Sequence, residues 1–193
     1  MESIQKSVES LKNSSVKLAE EVIKRDNALD DLEKSLDEDC IRILVTKQPA
    51  AVDLRMVLSI LKINTDLERI GDLSGNIAKE ALRLNGKPPL KPLVDIPRMA
   101  SLCVDMLKKA LESFAARNAG TARAVIERDR EIDELNMQVY RELFTFMAEN
   151  PHVMSEALGL IMVAKNLERI GDHATNIAEK AIYYIEGEDV RHT

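Results

Sequence analysis

The sequence LERIGDLSGNIAKEA at residues 67–81 returns as LERIGDHATNIAEKA at residues 167–181, with ten of the fifteen positions identical. The similarity continues upstream, where VIKRDNALDDL at residues 22–32 corresponds to VIERDREIDEL at residues 125–135. The offset is 100 residues for the first match and 103 for the second, so the second copy is three residues shorter between them. Self-similarity of this kind indicates an internal duplication, with each copy forming one repeated structural unit.

The composition of the chain favours long helices. It has 193 residues, of which 45% are hydrophobic and only 3% aromatic. Seven glycines and six prolines are too few for the frequent turns of a β-sandwich or barrel. Strands also favour aromatic residues, which are nearly absent. The sequence therefore predicts an all-α protein with an aliphatic core.

Helix-breaking residues divide each copy into three helices, because proline and glycine end helices and asparagine and serine cap them. The expected fold is two tandem, pseudo-symmetric three-helix bundles with six helices in all. The predicted helices are one ending near residue 12, then 15–47, 50–84, one ending near 117, 121–149 and 155–186. The predicted domains are a first bundle over residues 1–86, a Pro-rich linker over 87–97, a second bundle over 98–187 and a polar tail over 188–193.

Apolar residues at alternating spacings of three and four form a stripe on each long helix, which is the pattern of a core-facing side. On the second helix the expected core stripe is Leu18, Val22, Leu29, Leu32, Leu36, Cys40 and Ile43. On the fifth helix it is Val125, Ile132, Leu135, Val139, Leu143 and Phe146. Met1 aligns with Val104, which lies inside the predicted fourth helix. The first helix is therefore shorter than its counterpart, which leaves the packing of the first bundle open.

Charge and hydropathy exclude two classes of protein. The net charge is -6 and the sequence pI is about 5.2, whereas nucleic-acid binders carry a basic surface. The longest apolar run, from Leu158 to Ala164, is far shorter than the ~20 residues of a membrane span. Residues 1–6 also lack the apolar region of a secretory signal. We expect a cytoplasmic protein that binds no nucleic acid and is not inserted in a membrane.

Acidic residues recur in pairs four positions apart on the second, third, fifth and sixth predicted helices. The eight acids are Asp26, Asp30, Glu68, Asp72, Asp129, Asp133, Glu168 and Asp172. Like charges at this spacing repel, and four converging acids would need a positive charge among them. Hard cations such as Mg²⁺ and Ca²⁺, or iron and manganese, suit such oxygen ligands. The alternative is neutralisation by the arginines next to these acids in sequence, which are Arg25, Arg69, Arg128 and Arg169.

Other chemistry finds little support in the sequence. No nucleophile has a base at a recognisable spacing, and no phosphate-binding loop is present, so we expect no enzyme activity. The one Glu-x-x-His spacing, Glu149 to His152, is interrupted by Pro151, which argues against a di-iron oxidase. Cys40 and Cys103 read as buried hydrophobes. His173 reads as an incidental surface residue, and the helical Gly71 and Gly171 indicate close helix packing, with a ligand as the alternative.

The repeated LERIGDxxxNIA string, the QPxxxDLR sequence at residues 48–55 and the tandem bundles resemble the PhoU family of phosphate-uptake regulators. The resemblance covers nearly the whole chain. It implies a cytoplasmic negative regulator of the phosphate-starvation response that links the ATPase subunit of a phosphate-specific ABC transporter to a membrane sensor histidine kinase. Such a protein would be peripheral to the membrane complex and homodimeric. The resemblance also implies (D/E)xxxD motifs that can hold iron, zinc, magnesium or manganese, and in this chain these motifs are the eight acids isolated above.

The resemblance also implies surfaces for partners. QPxxxDLR has no second copy, because Ser155 stands where Arg55 would, so any role of Asp53 and Arg55 belongs to the first half. Partner binding is one interpretation of Asp53, Arg55, Arg69 and Arg169; a helix-start acid and surface arginines are the other. Two alternatives to a regulatory adaptor stay open, a metal-dependent phosphohydrolase or metal store and a structural oligomer with ion-paired acids.

Overall fold

The computed structural model describes residues 1–190, apart from the side chains of Asp26 and Asn27. Across these residues there are six α-helices, which confirms the predicted all-α fold. They are α1 (Glu2–Lys12), α2 (Val16–Lys47), α3 (Ala51–Leu84), α4 (Asp95–Ala115), α5 (Ala119–Glu149) and α6 (Met154–Glu186), with a 3₁₀ turn (Pro151–Val153) before α6.

Local chemistry accounts for the helix ends. The Ser15 hydroxyl accepts a hydrogen bond from the Leu18 amide at 3.4 Å, and Asn118 Oδ1 accepts one from the Thr121 amide at 3.1 Å. Each side chain satisfies a backbone donor that has no partner within its helix. The last helix ends at Gly187, whose φ of +78° is the left-handed conformation that glycine adopts without strain.

Helices α1, α2 and α3 form one bundle and α4, α5 and α6 form another, and α3 packs against α6 between them. The two central helices run antiparallel, since Arg83 near the end of α3 contacts Ser155 at the start of α6. Buried residues of α1, α3, α4, α5 and α6 belong to one continuous hydrophobic core. The two sequence copies are therefore joined through their third helices.

The two bundles differ in how completely they cover their second helix. Leu135 and Val139 of α5 are 5% and 1% exposed, as the sequence predicted. Their counterparts on α2, Leu32 and Leu36, are 65% and 38% exposed, so the prediction of a buried stripe is wrong there. Val22 and Cys40 of α2 are buried as predicted, whereas Leu18 and Leu29 are half-buried and Ile43 is 42% exposed.

The reason for this difference is the length of the covering helix. Helix α4 begins at Asp95, nine residues before Val104, the residue that aligns with Met1. Its first turns place Ile96, Met99 and Cys103 in the core. Helix α1 has no equivalent of these turns. The middle and end of α2 therefore face solvent where the same part of α5 faces α4.

Candidate functional site

Four of the predicted acids come together between α5 and α6, and we call them the C-terminal acidic cluster. It consists of Asp129 and Asp133 on α5 with Glu168 and Asp172 on α6. A Cβ atom at Gly171 would lie 2.9 Å from Ile132 Cδ1 and 3.1 Å from Asp129 Oδ1. The glycine thus permits α5 to approach α6 closely, which supports the interpretation of Gly171 as a packing residue and also places Asp129 against α6.

Electrostatics show that these acids share one environment. Burial, followed by the charges of Asp172, Asp133 and Glu168, raises the pKa of Asp129 to about 6. Burial and the neighbouring carboxylates, Glu168 first, also raise the pKa of Asp133 and of Asp172. A carboxyl group whose pKa is raised by both causes is held in a site that disfavours its negative charge.

Within the cluster, Glu168 is only partly neutralised. Lys165 Nζ lies 2.5 Å from Glu168 Oε1. The other oxygen, Oε2, is buried and has no hydrogen-bond partner among the described residues. A buried acceptor without a partner is costly, and such atoms in native proteins usually indicate a bound water or ion.

The first half has a corresponding but different arrangement, the N-terminal acidic cluster of Glu33, Glu68 and Asp72. The predicted ligand Asp30 lies half-buried on α2 and is not brought to these acids by any contact among the described side chains. Burial, then the charges of Asp72 and Glu33, raises the pKa of Glu68, with Arg69 opposing them. Arg69 lies 3.4 Å from Glu68 Oε2 and 3.2 Å from Asp72 Oδ2. The predicted ligand Asp26 falls outside the described side chains.

Glu33 is a member of this cluster that the sequence did not reveal. Its counterpart in the second copy is Asn136, so a search for acids common to both copies passes over it. Asn64 holds this part of α2 against α3 by donating to the Glu33 carbonyl at 2.8 Å and to Asp37 Oδ1 at 2.9 Å. The two clusters are therefore related by duplication without being identical.

Two of the four adjacent arginines pair with acids of the neighbouring helix. Arg25 pairs with Glu2 of α1 at 2.6 Å, and Arg128 pairs with Asp105 of α4. These pairs are themselves duplicated, because Glu2 aligns with Asp105 and Arg25 with Arg128. Lysines on the same helices complete both, with Lys6 2.9 Å from Glu2 and Lys109 2.8 Å from Asp105. Of the four arginines, Arg69 pairs with acids of a cluster.

The clusters suit hard cations by their chemistry, since every donor is a carboxylate oxygen. Among the described side chains, no group of three or more potential ligands lies close enough to share one ion. In the C-terminal cluster, a cation would give Glu168 Oε2 the partner that the described residues do not provide. It would also offset the repulsion that raises the pKa of Asp129. Asp129, Asp133, Glu168 and Asp172 are therefore candidate cation ligands by their chemistry and shared environment, whereas their positions in this structure do not form a complete binding site.

The two copies of the repeated motif also meet at a surface groove between α3 and α6. It is lined by Arg69, Asp72, Leu73, Asn76, Arg169, Asp172, His173 and Asn176. His173 is not an incidental surface residue: its Nδ1 lies 2.8 Å from Asp66 Oδ1 of α3, and Asn176 donates to the same oxygen at 3.3 Å. These contacts join the two halves beside the acids.

The candidate partner-binding residues Asp53 and Arg55 lie at the start of α3. Asp53 is exposed in the first turn. Arg55 is half-buried beside the end of α6, where a Cβ atom added at Gly187 would lie 3.5 Å from the Arg55 guanidinium carbon. At the pseudo-equivalent end, Arg83 of α3 donates to the Ser155 hydroxyl at 3.0 Å and to its carbonyl at 3.1 Å. Residue 155, which aligns with Arg55, is a serine, and Arg83 of α3 places a guanidinium group beside it.

Comparison with known proteins settles the family. The PhoU domain matches residues 1–81 and again residues 96–181, one match for each bundle. The chain belongs to the PhoU family. The phosphate-specific transport system accessory protein PhoU homolog of Aquifex aeolicus is 46% identical over 191 residues, which are 99% of this chain and 86% of the relative. The homolog of Pseudomonas aeruginosa is 42% identical over 91% of this chain and 73% of its own length.

Solved structures of PhoU proteins share the fold. The crystal structure of PhoU from Pseudomonas aeruginosa aligns with a TM-score of 0.92 at 38% identity, covering 96% of this chain and 90% of that one. The phosphate transport system regulatory protein PhoU from Streptococcus pneumoniae aligns with a TM-score of 0.91 at 28% identity, covering 98% and 89%. In this PhoU family member, none of the helices within residues 1–190 has the length and apolar content to cross a bilayer.

Proposed function

We propose that this PhoU family member is a non-enzymatic, cytoplasmic regulator of phosphate uptake. In this role it restrains the phosphate-starvation response by linking the ATPase subunit of a phosphate-specific ABC transporter to a membrane sensor histidine kinase. Relatives at 46% and 42% identity bear the name of an accessory protein of phosphate-specific transport, which supports the transporter association. The protein would act as a homodimer, peripheral to the membrane complex.

The metal-binding part of the proposal rests on the C-terminal acidic cluster. Its single supporting observation is the buried Oε2 of Glu168, which finds no hydrogen-bond partner among the described side chains and is set among carboxyl groups whose pKa values are raised. A cation of the Fe, Zn, Mn or Mg type would compensate the negative charge that burial and the neighbouring carboxylates disfavour at Asp129 and Asp172. Bound there, it would neutralise the acidic face of α5 and α6 beside the groove between the two halves. The charge of the surface that partners contact would then depend on whether metal is bound.

A chromosomal replacement tests the regulatory role. In a strain without the gene, a reporter of phosphate-starvation genes should be expressed in high phosphate, and the wild-type gene should silence it. The variant Asp129→Asn, Asp133→Asn, Glu168→Gln and Asp172→Asn should silence it poorly. Glu127→Gln with Glu134→Gln, two exposed acids on the same helix, is the matched control. A reporter that stays silent in the deletion strain would refute the proposal.

The enzymatic alternative is tested on the purified protein. Wild type loaded with Mn²⁺, Mg²⁺ or Fe²⁺ should hydrolyse a phosphoester no faster than the quadruple variant. Turnover that disappears in the variant and persists in the control would replace the regulatory proposal with a metal-dependent phosphohydrolase.

A further inference from the structure

A cavity of about 420 Å³ lies where the Pro-rich linker meets both halves of the chain. Its walls are the ends of α1 and α3, residues 87–93 of the linker and the start of α6. Leu11, Ala81 and Leu160, one from each of these helices, are 9%, 5% and 5% exposed and belong to the hydrophobic core. Sites for small molecules are concave, mostly apolar and ~300–1,000 Å³ in volume. The cavity has the size and the lining of such a site.

The second half of the chain has aromatic side chains at the corresponding place. The rings of Phe114 and Tyr184, at the ends of α4 and α6, have centroids 5.0 Å apart. The guanidinium carbon of Arg117 lies 5.2 Å from the centroid of the Tyr184 ring. Tyr184 is 2% exposed, so its ring fills this end of the second bundle. Aromatic pairs at such a separation attract each other beyond the area that they bury.

The first half has smaller side chains at the three aligned positions. Leu11 aligns with Phe114, Ser14 with Arg117 and Leu84 with Tyr184. The turn after the helix is the same in both halves, with φ values of 50° at Ser14 and 52° at Arg117. Leu11, Ser14 and Leu84 all line the cavity. The cavity therefore occupies the place that two rings and a guanidinium group take in the second half.

The charges around the cavity favour an anion. Its lining carries three lysines and one glutamate: Lys12, Lys87, Lys91 and Glu156. Two of the lysines are already paired, Lys87 with Glu156 and Lys91 with Asp95 and Glu142. Lys12, at the end of α1, is exposed and makes no ion pair with the described side chains. Its counterpart in the second copy is Ala115, so this charge belongs to the first half alone. The charge that a ligand in the cavity would meet is therefore positive.

We propose that this cavity binds a small amphipathic anion, with an aromatic body in the apolar interior and the negative group beside Lys12. The aromatic body would fill the space that Phe114 and Tyr184 fill in the second half. An inorganic anion would leave the apolar walls without contacts, and a cation would be repelled by Lys12. The class of ligand that satisfies both parts of the site is an aromatic carboxylate, sulfonate or phosphate ester with one or two rings.

A ligand in this cavity would contact both halves of the chain. The lining comes from α1 and α3 of the first half and from α6 of the second. Bound there, the ligand would add to the contact that Arg83 of α3 makes with Ser155 of α6. Among the described residues, no member of either acidic cluster lines the cavity. Binding of the anion is therefore independent of the metal in the proposed function.

A fluorescence titration with 8-anilinonaphthalene-1-sulfonate tests the position of the site. Leu11→Phe with Leu84→Tyr copies the aromatic pair of the second half into the first and should fill the cavity. The dissociation constant of the tightest dye site should rise at least tenfold in this variant, whereas its thermal melt should stay cooperative. Leu58→Phe with Leu158→Tyr adds the same rings at exposed positions outside the cavity and should bind the dye at least as tightly as wild type. A wild type that binds no dye, or a folded filled variant that binds it as wild type does, would overturn the site.

A second titration tests the preference for an anion and does not depend on the filled variant. N-phenyl-1-naphthylamine has the same ring system as the first dye without its sulfonate, so the ratio of the two affinities measures the contribution of the negative charge. This ratio should fall at least threefold in Lys12→Gln, because the substitution removes the cation and leaves the apolar walls intact. Lys24→Gln, an exposed lysine of α2 outside the cavity, should keep the ratio of wild type. The same ratio in Lys12→Gln and Lys24→Gln would overturn the assignment of Lys12 and the anionic class of ligand.

Discussion

Arg128 of α5 pairs with Asp105 of α4 and not with Asp129, its neighbour in sequence. Arg25 makes the corresponding pair with Glu2. Consecutive helix residues are 100° apart, so the guanidinium and the cluster acid point to different helices. The negative charge of Asp129 is therefore not compensated by an arginine. Burial and three neighbouring carboxylates raise the pKa of Asp129 to about 6.

Replacement of Asp129 should therefore change the pH dependence of stability. The folded protein holds the Asp129 proton more tightly than the unfolded chain, so the free energy of unfolding falls as pH rises from 3.8 towards 6 and is lowest above that. The shift corresponds to at most about 3 kcal/mol, which solvent screening reduces to ~1–2 kcal/mol. Asp129→Asn should be more stable than wild type by that amount at pH 7 and equal to it near pH 4.

Urea unfolding in EDTA between pH 4 and 7 measures this difference. Glu127→Gln, an exposed acid on the same helix, is the control and should follow wild type at every pH. Parallel curves for Asp129→Asn and wild type would show that Asp129 is not destabilised by its neighbours.

Gly171 should resist substitution. Alanine favours a helix over glycine by about 1 kcal/mol, yet its Cβ at residue 171 would lie 2.9 Å from Ile132 Cδ1. Overpacking of this kind costs about 1–3 kcal/mol, so Gly171→Ala should lose stability in chemical unfolding. Gly120→Ala is the matched control, because the only nearby atom is the side-chain oxygen of Asn118 at 3.3 Å. Equal effects of the two changes would contradict the close approach of α5 and α6.

The sequence predicted features that depend on local chemistry or on repetition. Helix ends followed from residues such as Ser15 and Pro151, and the C-terminal acids followed from their recurrence in both copies. It could not predict the exposure of Leu32, because periodicity indicates an apolar side without indicating what covers it. The sequence also did not predict that Glu33 belongs to the N-terminal acidic cluster. The packing of α2 on α3 brings Glu33 to the cluster, and its counterpart Asn136 is not acidic.

Arg83 and Ser155 should contribute to the contact between the two halves. Arg83 donates two hydrogen bonds to Ser155 and one to Glu80 at 2.8 Å. Arg83→Ala should lower the free energy of unfolding by about 1 kcal/mol, since a net hydrogen bond contributes about that much. A double-mutant cycle with Ser155→Ala should give a coupling of roughly 0.5 kcal/mol or more. Lys79→Ala, an exposed change on the same helix, should show no coupling to Ser155→Ala.

Metal binding should stabilise the folded protein through the C-terminal cluster. A ligand at a hundred times its dissociation constant adds about 2.7 kcal/mol, which corresponds to a rise in Tm of roughly 5–10 °C for a domain of this size. Mn²⁺ should therefore raise the Tm of wild type and of the Glu127→Gln, Glu134→Gln control. The variant Asp129→Asn, Asp133→Asn, Glu168→Gln and Asp172→Asn should respond less and retain only the metal held by the N-terminal cluster in elemental analysis. Equal metal content in the variant and the control would remove the C-terminal cluster as a metal site, because only the variant lacks the acids of that cluster.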